Sequence, residues 1–227
     1  MNYILNIVTT SENAVVNVSN GPEVIATATN SSAKEHASFL HVAIHKLLDE
    51  NAIAVSELKA VGVAGGPGSY TGIRVGLATA KGLCFALNIP LMMYNTLELM
   101  AFSCIEIVND NKAFYCPMID ARRMEVFTAV YDAALSPVIA PAAMELTEET
   151  WLPLLEKNKI YFFGSGAEKA RNLIRDPVKN FHLVTNSLSS ESLARFGWDK
   201  LIKKDFVNLV DSKPLYLKEF YTTAKLT

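Results

Sequence analysis

Apolar residues run closely together in residues 3–10, YILNIVTT, and recur in 13–29, NAVVNVSNGPEVIATAT, broken at Asn20-Gly21-Pro22. The first stretch predicts a strand and the second a hairpin turning at those three residues. The pattern then changes. In residues 31–53, apolar Phe39, Leu40, Ala43, Ile44, Leu47 and Leu48 recur at helical spacing, with Ser31 or Ser32 as the candidate cap. LKAVGVAGG (58–66) predicts a short strand ending in glycines. TGIRVGLATAKGLCFALN (71–88) predicts a second helix, stopped near Asn88 and Pro90. IPLMMYN predicts another strand, and TLELMAFSCIEIV a third helix with Thr96 as candidate cap.

Composition shifts at NDNKAF, residues 109–114, which suggests a boundary. Beyond it, residues 113–132 predict two strands joined by a polar turn at Asp120 to Arg123. SPVIAPAAMELTEETWLPLLEKNK predicts a Pro-rich connection into a helix. IYFFGSGAEKARNLI repeats the earlier scheme of strand, Gly turn and helix. FHLVTN predicts a strand, residues 189–206 a capped amphipathic helix, and DSKPLYLKEFYTT an extended tail. Two successive sets of strands and helices indicate an α/β protein of two lobes, residues 1–110 and 111–227, the final segment packing back on the first lobe. No repeat is visible at the level of residues.

Composition narrows the function classes. The chain has 227 residues, half of them hydrophobic, enough for a buried core. A net charge of −2 without a basic block is a poor match to a polyanion, which needs clustered Lys and Arg. Lys200, Lys203 and Lys204 form the nearest basic patch and fit a solvated helix face. The N-terminus lacks the charged region and long apolar core of a signal peptide. No apolar run reaches the ~18 residues that would span a bilayer. Cys84, Cys104 and Cys116 have neither disulfide nor zinc-site spacing, which fits buried thiols in a cytoplasmic protein.

The candidate chemistry lies in GGPGSYTGIRVG, residues 65–76. A Walker A loop fails here, because Gly72 is followed by Ile73 and Arg74 rather than Lys and a hydroxyl residue. A GxSxG elbow fails around both Ser69 and Ser165. Glycines after a strand still allow close backbone approach, and the next helix start favours an anion. Gly66, Gly68, Ser69, Thr71 and Gly72 are therefore a candidate anion- or nucleotide-binding loop. Spacing alone leaves a structural turn and a ligand loop equally open. Gly72, Gly76 and Ala80 lie four apart on one helix face, with Gly82 a third glycine. They point to close packing, against the protein's own sheet or against a partner.

The block VGVAGGPGSYTGIRVGLATAKGLCFALNIPL closely resembles the signature of the bacterial TsaB family, also called YeaZ. The similarity resumes in HASFLHVAIHKLL, MIDARRMEVFTAVY and KPLYLKEF. The resemblance implies the two-lobed ASKHA architecture of actin and sugar kinases, ribonuclease H-like, with mixed sheets flanked by helices. It implies a non-catalytic subunit, with no cofactor or metal of its own, needed for threonylcarbamoylation of adenosine 37 in tRNAs reading ANN codons. The implied partners are a TsaD-like catalytic protein and a TsaE-like ATPase that binds the pair. A homodimer is implied for the isolated chain, and tRNA is reached only through the complex. The family's pairing surface is its first two helices, here residues 33–50 and 71–88. That makes His36, Leu40, His41, Ile44, Leu47, Gly72, Val75, Gly76, Thr79 and Ala80 the expected interface.

Two departures bear on catalysis. Where active ASKHA enzymes carry an acidic residue after the first strand, this chain has Val8. His41 and His45 have the i, i+4 spacing of a metal pair. They sit on the first helix with no third ligand evident, and His36 points elsewhere, so partner contact fits them better. Asp120, Arg122, Arg123 and Glu125 could form an acid/base site, but a turn held by ion pairs fits them better. An ASKHA-type ATPase or small-molecule kinase is the alternative function, and a glycoprotease ranks last for want of a nucleophile triad.

Overall fold

Strand β1 (Tyr3–Val8) has Leu5 and Ile7 on one side and Ile4, Asn6 and Val8 on the other, all buried. Period-two alternation thus puts core on both faces of the sheet. The structure, a computed structural model, describes residues 1–31, 36–173, 180–185 and 188–218. β1, β2 (Ala14–Asn20) and β3 (Glu23–Asn30) form an antiparallel meander, turning at Gly21 with φ of 61°. α1 (His36–Glu50) leads to β4 (Leu58–Ala64), parallel to β1. α2 (Tyr70–Leu87) leads to β5 (Leu91–Tyr94), parallel to β4, and α3 (Thr96–Val108) follows. The sheet order is β3-β2-β1-β4-β5.

The second half repeats this plan. β6 (Phe114–Asp120), β7 (Glu125–Tyr131) and β8 (Pro137–Glu145) form a meander. α4 (Glu148–Lys157), β9 (Ile160–Phe163), α5 (Ala167–Leu173), β10 (Phe181–Val184) and α6 (Ser190–Ile202) complete it, with sheet order β10-β9-β6-β7-β8. The two mixed sheets flanked by helices are the expected ASKHA architecture.

Local signals account for most boundaries. Asn88 ends α2 and Asn109 ends α3, both in the left-handed conformation that Asn tolerates. Two expectations change. Thr96 is not the cap of α3: the Asn95 side chain accepts from the N–H groups of Leu97 and Glu98. Residues 137–145 form a strand, not a connection, because β7 offers an unpaired edge that recovers their backbone hydrogen bonds. Ser32 lies outside the described residues, as do Glu219 and Phe220 of the KPLYLKEF segment.

Each half donates its last helix to the other. α3 packs on β6 and β7 of the second sheet, α6 packs on all of β1, β2, β3 and β5 of the first, and the two helices touch. Leu97, Ala101 and Cys104 join Tyr115 and Ile119 in one core, while Leu193 and Phe196 join Ile4, Val8 and Tyr94 in another. The lobes are therefore fastened through a buried helix pair. Burial pushes the Cys84 thiol up to about 11 and those of Cys104 and Cys116 up to about 12, so all three stay protonated in the core. Among the described residues no helix is long and apolar enough to cross a membrane.

A buried polar chain pins α6 to the first sheet. Tyr94 donates from its hydroxyl to Asn6 Oδ1 at 2.6 Å, Asn6 Nδ2 donates to Asn17 Oδ1 at 2.9 Å, and Asn17 Nδ2 donates to the Ser190 carbonyl at 2.9 Å. Gly62 and Gly197 supply the space, since a Cβ at either would run into Tyr94 and Asn6. Tyr94→Phe should destabilise the fold by about 1–3 kcal/mol, because Asn6 Oδ1 would lose that donor inside the core. Urea unfolding of the two proteins measures this; equal midpoints would contradict it.

Candidate functional site

On the outer face of the first sheet, α1 and α2 lie side by side. α1 turns Leu40, Ala43, Ile44, Leu47 and Leu48 into the core and leaves His41, Val42, His45 and Asp49 outward. α2 buries Gly72, Ile73, Gly76, Leu77, Ala80 and Cys84 and exposes Arg74, Ala78, Gly82 and Phe85. Between the helices runs an open groove of about 720 Å³. Its walls include His41, His45, Leu48, Thr79, Gly82 and Leu83, and Ile44 forms part of its lining. Val42 is 67% and Phe85 81% exposed on the same two helices.

This geometry divides the expected interface. His41 and Thr79 line the groove, with Ile44 almost fully buried there. Leu40 and Leu47 belong to the chain's own core, and Val75 packs against it. The His36 side chain lies outside the described residues. Gly72, Gly76 and Ala80 are corrected: they face inward. A Cβ on Gly72 would collide with the Thr9 carbonyl, and one on Gly76 with the Thr9 hydroxyl. Thr9 Oγ1 donates to the Gly72 carbonyl at 2.8 Å, tying α2 to the end of β1. The small residues thus let the helix approach its own sheet. Ala78, Val42 and Phe85 are outward residues that the sequence reading missed, as is Leu83, which lines the groove while packing against the core. The usable signal was the Ala78–Gly82 pair, also four apart, on a different side of α2.

The glycine loop is likewise filled by its own chain. Gly66 has φ of 118° and Gly68 of 152°, values that side chains disfavour. Ser69 caps α2 by accepting from the Gly72 N–H at 3.3 Å, whereas Thr71 is exposed in the first turn. The Ser69 N–H donates to the Thr10 carbonyl at 2.7 Å, and the Gly66 carbonyl accepts from the Thr96 N–H at 2.8 Å. The Gly65 carbonyl accepts from the Leu215 N–H at 2.8 Å. A Cβ on Gly68 would run into the Thr10 carbonyl, and one on Gly66 would come within 2.5 Å of the Leu215 carbonyl. The backbone approach that these glycines permit is thus made by Thr10 and Leu215. Val8 is buried among Ile4, Ala64 and Tyr94 and presents nothing to the loop.

The turn after β6 is held by ion pairs, though not between its own charges. Asp120 pairs with Lys169 of α5 at 2.6 Å, and Glu125 with Lys218. Partial burial pulls the Asp120 carboxyl up, but Lys169 and the Arg122 N–H outweigh it and hold the group below the usual carboxylate range. Arg122 and Arg123 sit exposed at the tip with φ of 71° and 50°. Lys200, in the late basic patch, pairs with Glu98 and Asp205. Among the described residues no group of three His, Cys, Asp or Glu side chains is placed to hold a metal ion.

Comparison with known proteins identifies the family. The family described as TsaD: tRNA N6-adenosine threonylcarbamoyltransferase matches residues 23–196. The tRNA threonylcarbamoyladenosine biosynthesis protein TsaB of Bacillus subtilis (strain 168) is 32% identical over 148 residues, 63% of this chain. The match spans 62% of the length of that relative. The protein of the same name from Buchnera aphidicola subsp. Baizongia pistaciae (strain Bp) is 24% identical over 177 residues, 76% of this chain and 67% of the relative. Among solved structures, YeaZ from Pseudomonas aeruginosa superimposes with a TM-score of 0.80 at 21% identity, covering 96% of this chain and all of that one. With that family matched over residues 23–196, most of the chain, this chain belongs to the family described as TsaD: tRNA N6-adenosine threonylcarbamoyltransferase, within which it is similar to proteins named TsaB.

Proposed function

We propose that this chain is a non-catalytic subunit in the threonylcarbamoylation of tRNA adenosine. In this reading it pairs through the outer face of α1 and α2 with a TsaD-like protein, and makes that partner competent for transfer. A TsaE-like ATPase binds the pair, tRNA is reached through the complex, and the isolated chain forms a homodimer through the same face. The setting is the cytoplasm. The observation that carries the reading is the open groove between α1 and α2, two helices that also expose Val42 and Phe85. A groove on helices with exposed apolar side chains suits a helical partner surface. Gly82 adds to this, because it lets a partner backbone come close. The buried Val8 supports a role without chemistry of its own, since no carboxylate stands there to place a metal or phosphate.

The test is reconstitution with purified components. The chain should co-elute with the TsaD-like protein of its own organism, and modification should require both. Failure to co-elute, together with full modification in its absence, would remove the reading.

A further inference from the structure

Every described arginine but two has a partner. Arg74 Nε donates to the Tyr216 hydroxyl at 2.9 Å, Arg171 pairs with Glu168, and Arg195 pairs with Glu106. Arg122 and Arg123 stand side by side at the tip of the β6–β7 hairpin, both exposed. Among the described residues neither side chain has an ion pair or a hydrogen bond. The carboxylates nearest in the chain are taken up elsewhere, Asp120 by Lys169 and Glu125 by Lys218. The two guanidinium charges are therefore uncompensated.

The backbone beneath them is fixed. Lys169 Nζ donates to Asp120 Oδ1 and to the Arg123 carbonyl, both at 2.6 Å, and to the Glu125 carbonyl at 3.2 Å. Asp120 Oδ1 also accepts from the Arg122 N–H at 2.6 Å, and the Leu146 N–H donates to the Met124 carbonyl at 2.8 Å. Arg122 and Arg123 both hold left-handed backbone, which asparagine and glycine adopt more readily than arginine. A tip that only reversed the chain would be better served by Asn-Gly. Arginine at both positions instead sets two free cations on a rigid turn.

We propose that Arg122 and Arg123 bind phosphate groups of the RNA on which the assembled complex acts, so that this chain touches the RNA itself. The inference rests on the reading of the chain as a subunit in tRNA modification. The planar guanidinium fork matches phosphate oxygens, and a fixed turn spares the ordering cost of binding. An acidic protein surface fits the tip less well. Its one large exposed apolar side chain is Met124, so a protein would find little apolar area to bury there. Two cations do not make the isolated chain a strong polyanion binder; they add to what the partner contributes.

The test replaces both arginines at once, Arg122→Asn with Arg123→Gly. This relieves the left-handed positions, so the urea midpoint of the isolated chain should hold or rise, and co-elution with the TsaD-like protein should persist. Affinity of the complex for an unmodified transcript of a tRNA reading ANN codons should fall by about tenfold at low salt. The slope of log affinity against log salt should shrink by about 2. Arg122→Lys with Arg123→Lys should keep most of that slope. Unchanged affinity and slope in a co-eluting variant would overturn the RNA contact and leave the pairing intact. Lost co-elution in the Asn-Gly variant would make the tip a protein contact instead. A wild-type chain that does not co-elute at all would remove both readings.

Discussion

Gly72→Ala is expected to cost this protein about 3 kcal/mol or more of stability, and Gly76→Leu at least as much. In an exposed helix interior, replacing glycine by alanine gains up to ~1 kcal/mol. The sign reverses at Gly72 because the added methyl meets the Thr9 carbonyl at the end of β1. That backbone has little room to yield: β1 is the central strand, paired on one side with β2 and on the other with β4. At Gly76 a leucine must displace the Thr9 hydroxyl and then find room beside Ile7 and Val63, whose nearest carbons already lie 3.5 Å from the new Cβ. Both neighbours are fully buried. Either variant should therefore unfold at lower urea concentration as an isolated chain, with any loss of assembly secondary. A wild-type midpoint in monomeric protein would show that this face is not packed as described.

Gly82→Arg should have the opposite profile. Nothing lies within 4 Å of a Cβ at Gly82, so the helix accepts the side chain. Removing a mid-helix glycine should leave the midpoint unchanged or raise the stability by up to ~1 kcal/mol. The arginine, however, would stand in the groove beside His45, Thr79 and Leu83. If a partner helix docks there, affinity for the TsaD-like protein should fall on the order of 100-fold, about 2.7 kcal/mol. Titration calorimetry with the purified partner measures it. Retained affinity in a fully folded variant would move the pairing surface elsewhere. The two glycines, ten residues apart on one helix, thus separate stability from pairing.

The elements were largely legible because burial imposes its period on the chain. Leu5 and Ile7 against Ile4 and Val8, or Ala43 and Leu47 on α1, follow directly from spacings of two and near four. Asn88 ended its helix as expected because the residue tolerates left-handed backbone. β8 was misread because Pro137 and Pro141 obscure its pattern; a strand at a sheet edge tolerates proline, and only the presence of β7 beside it makes that edge. The family was legible in the long glycine-containing block, which is a property of sequence alone.

What the sequence determined by itself was this family, the order of helices and strands apart from β8, and the absence of an acidic side chain at Val8. The tertiary structure decided which way the small residues face. α2 carries Gly72, Gly76 and Ala80 on one side and Ala78 and Gly82 on another, and both sets have the same spacing. Helical periodicity shows that residues share a face but not which face meets the core. That choice depends on Thr9, 63 residues away in the chain from Gly72. The two sets of elements were legible, but that both sheets share one strand order was not, because the repeat lies in backbone pairing, which many different side chains can satisfy. The glycine loop followed the same rule. Its conformation was readable from Gly66 and Gly68, but its occupant, the backbone of Thr10 and Leu215, is set by contacts that only the folded chain brings together.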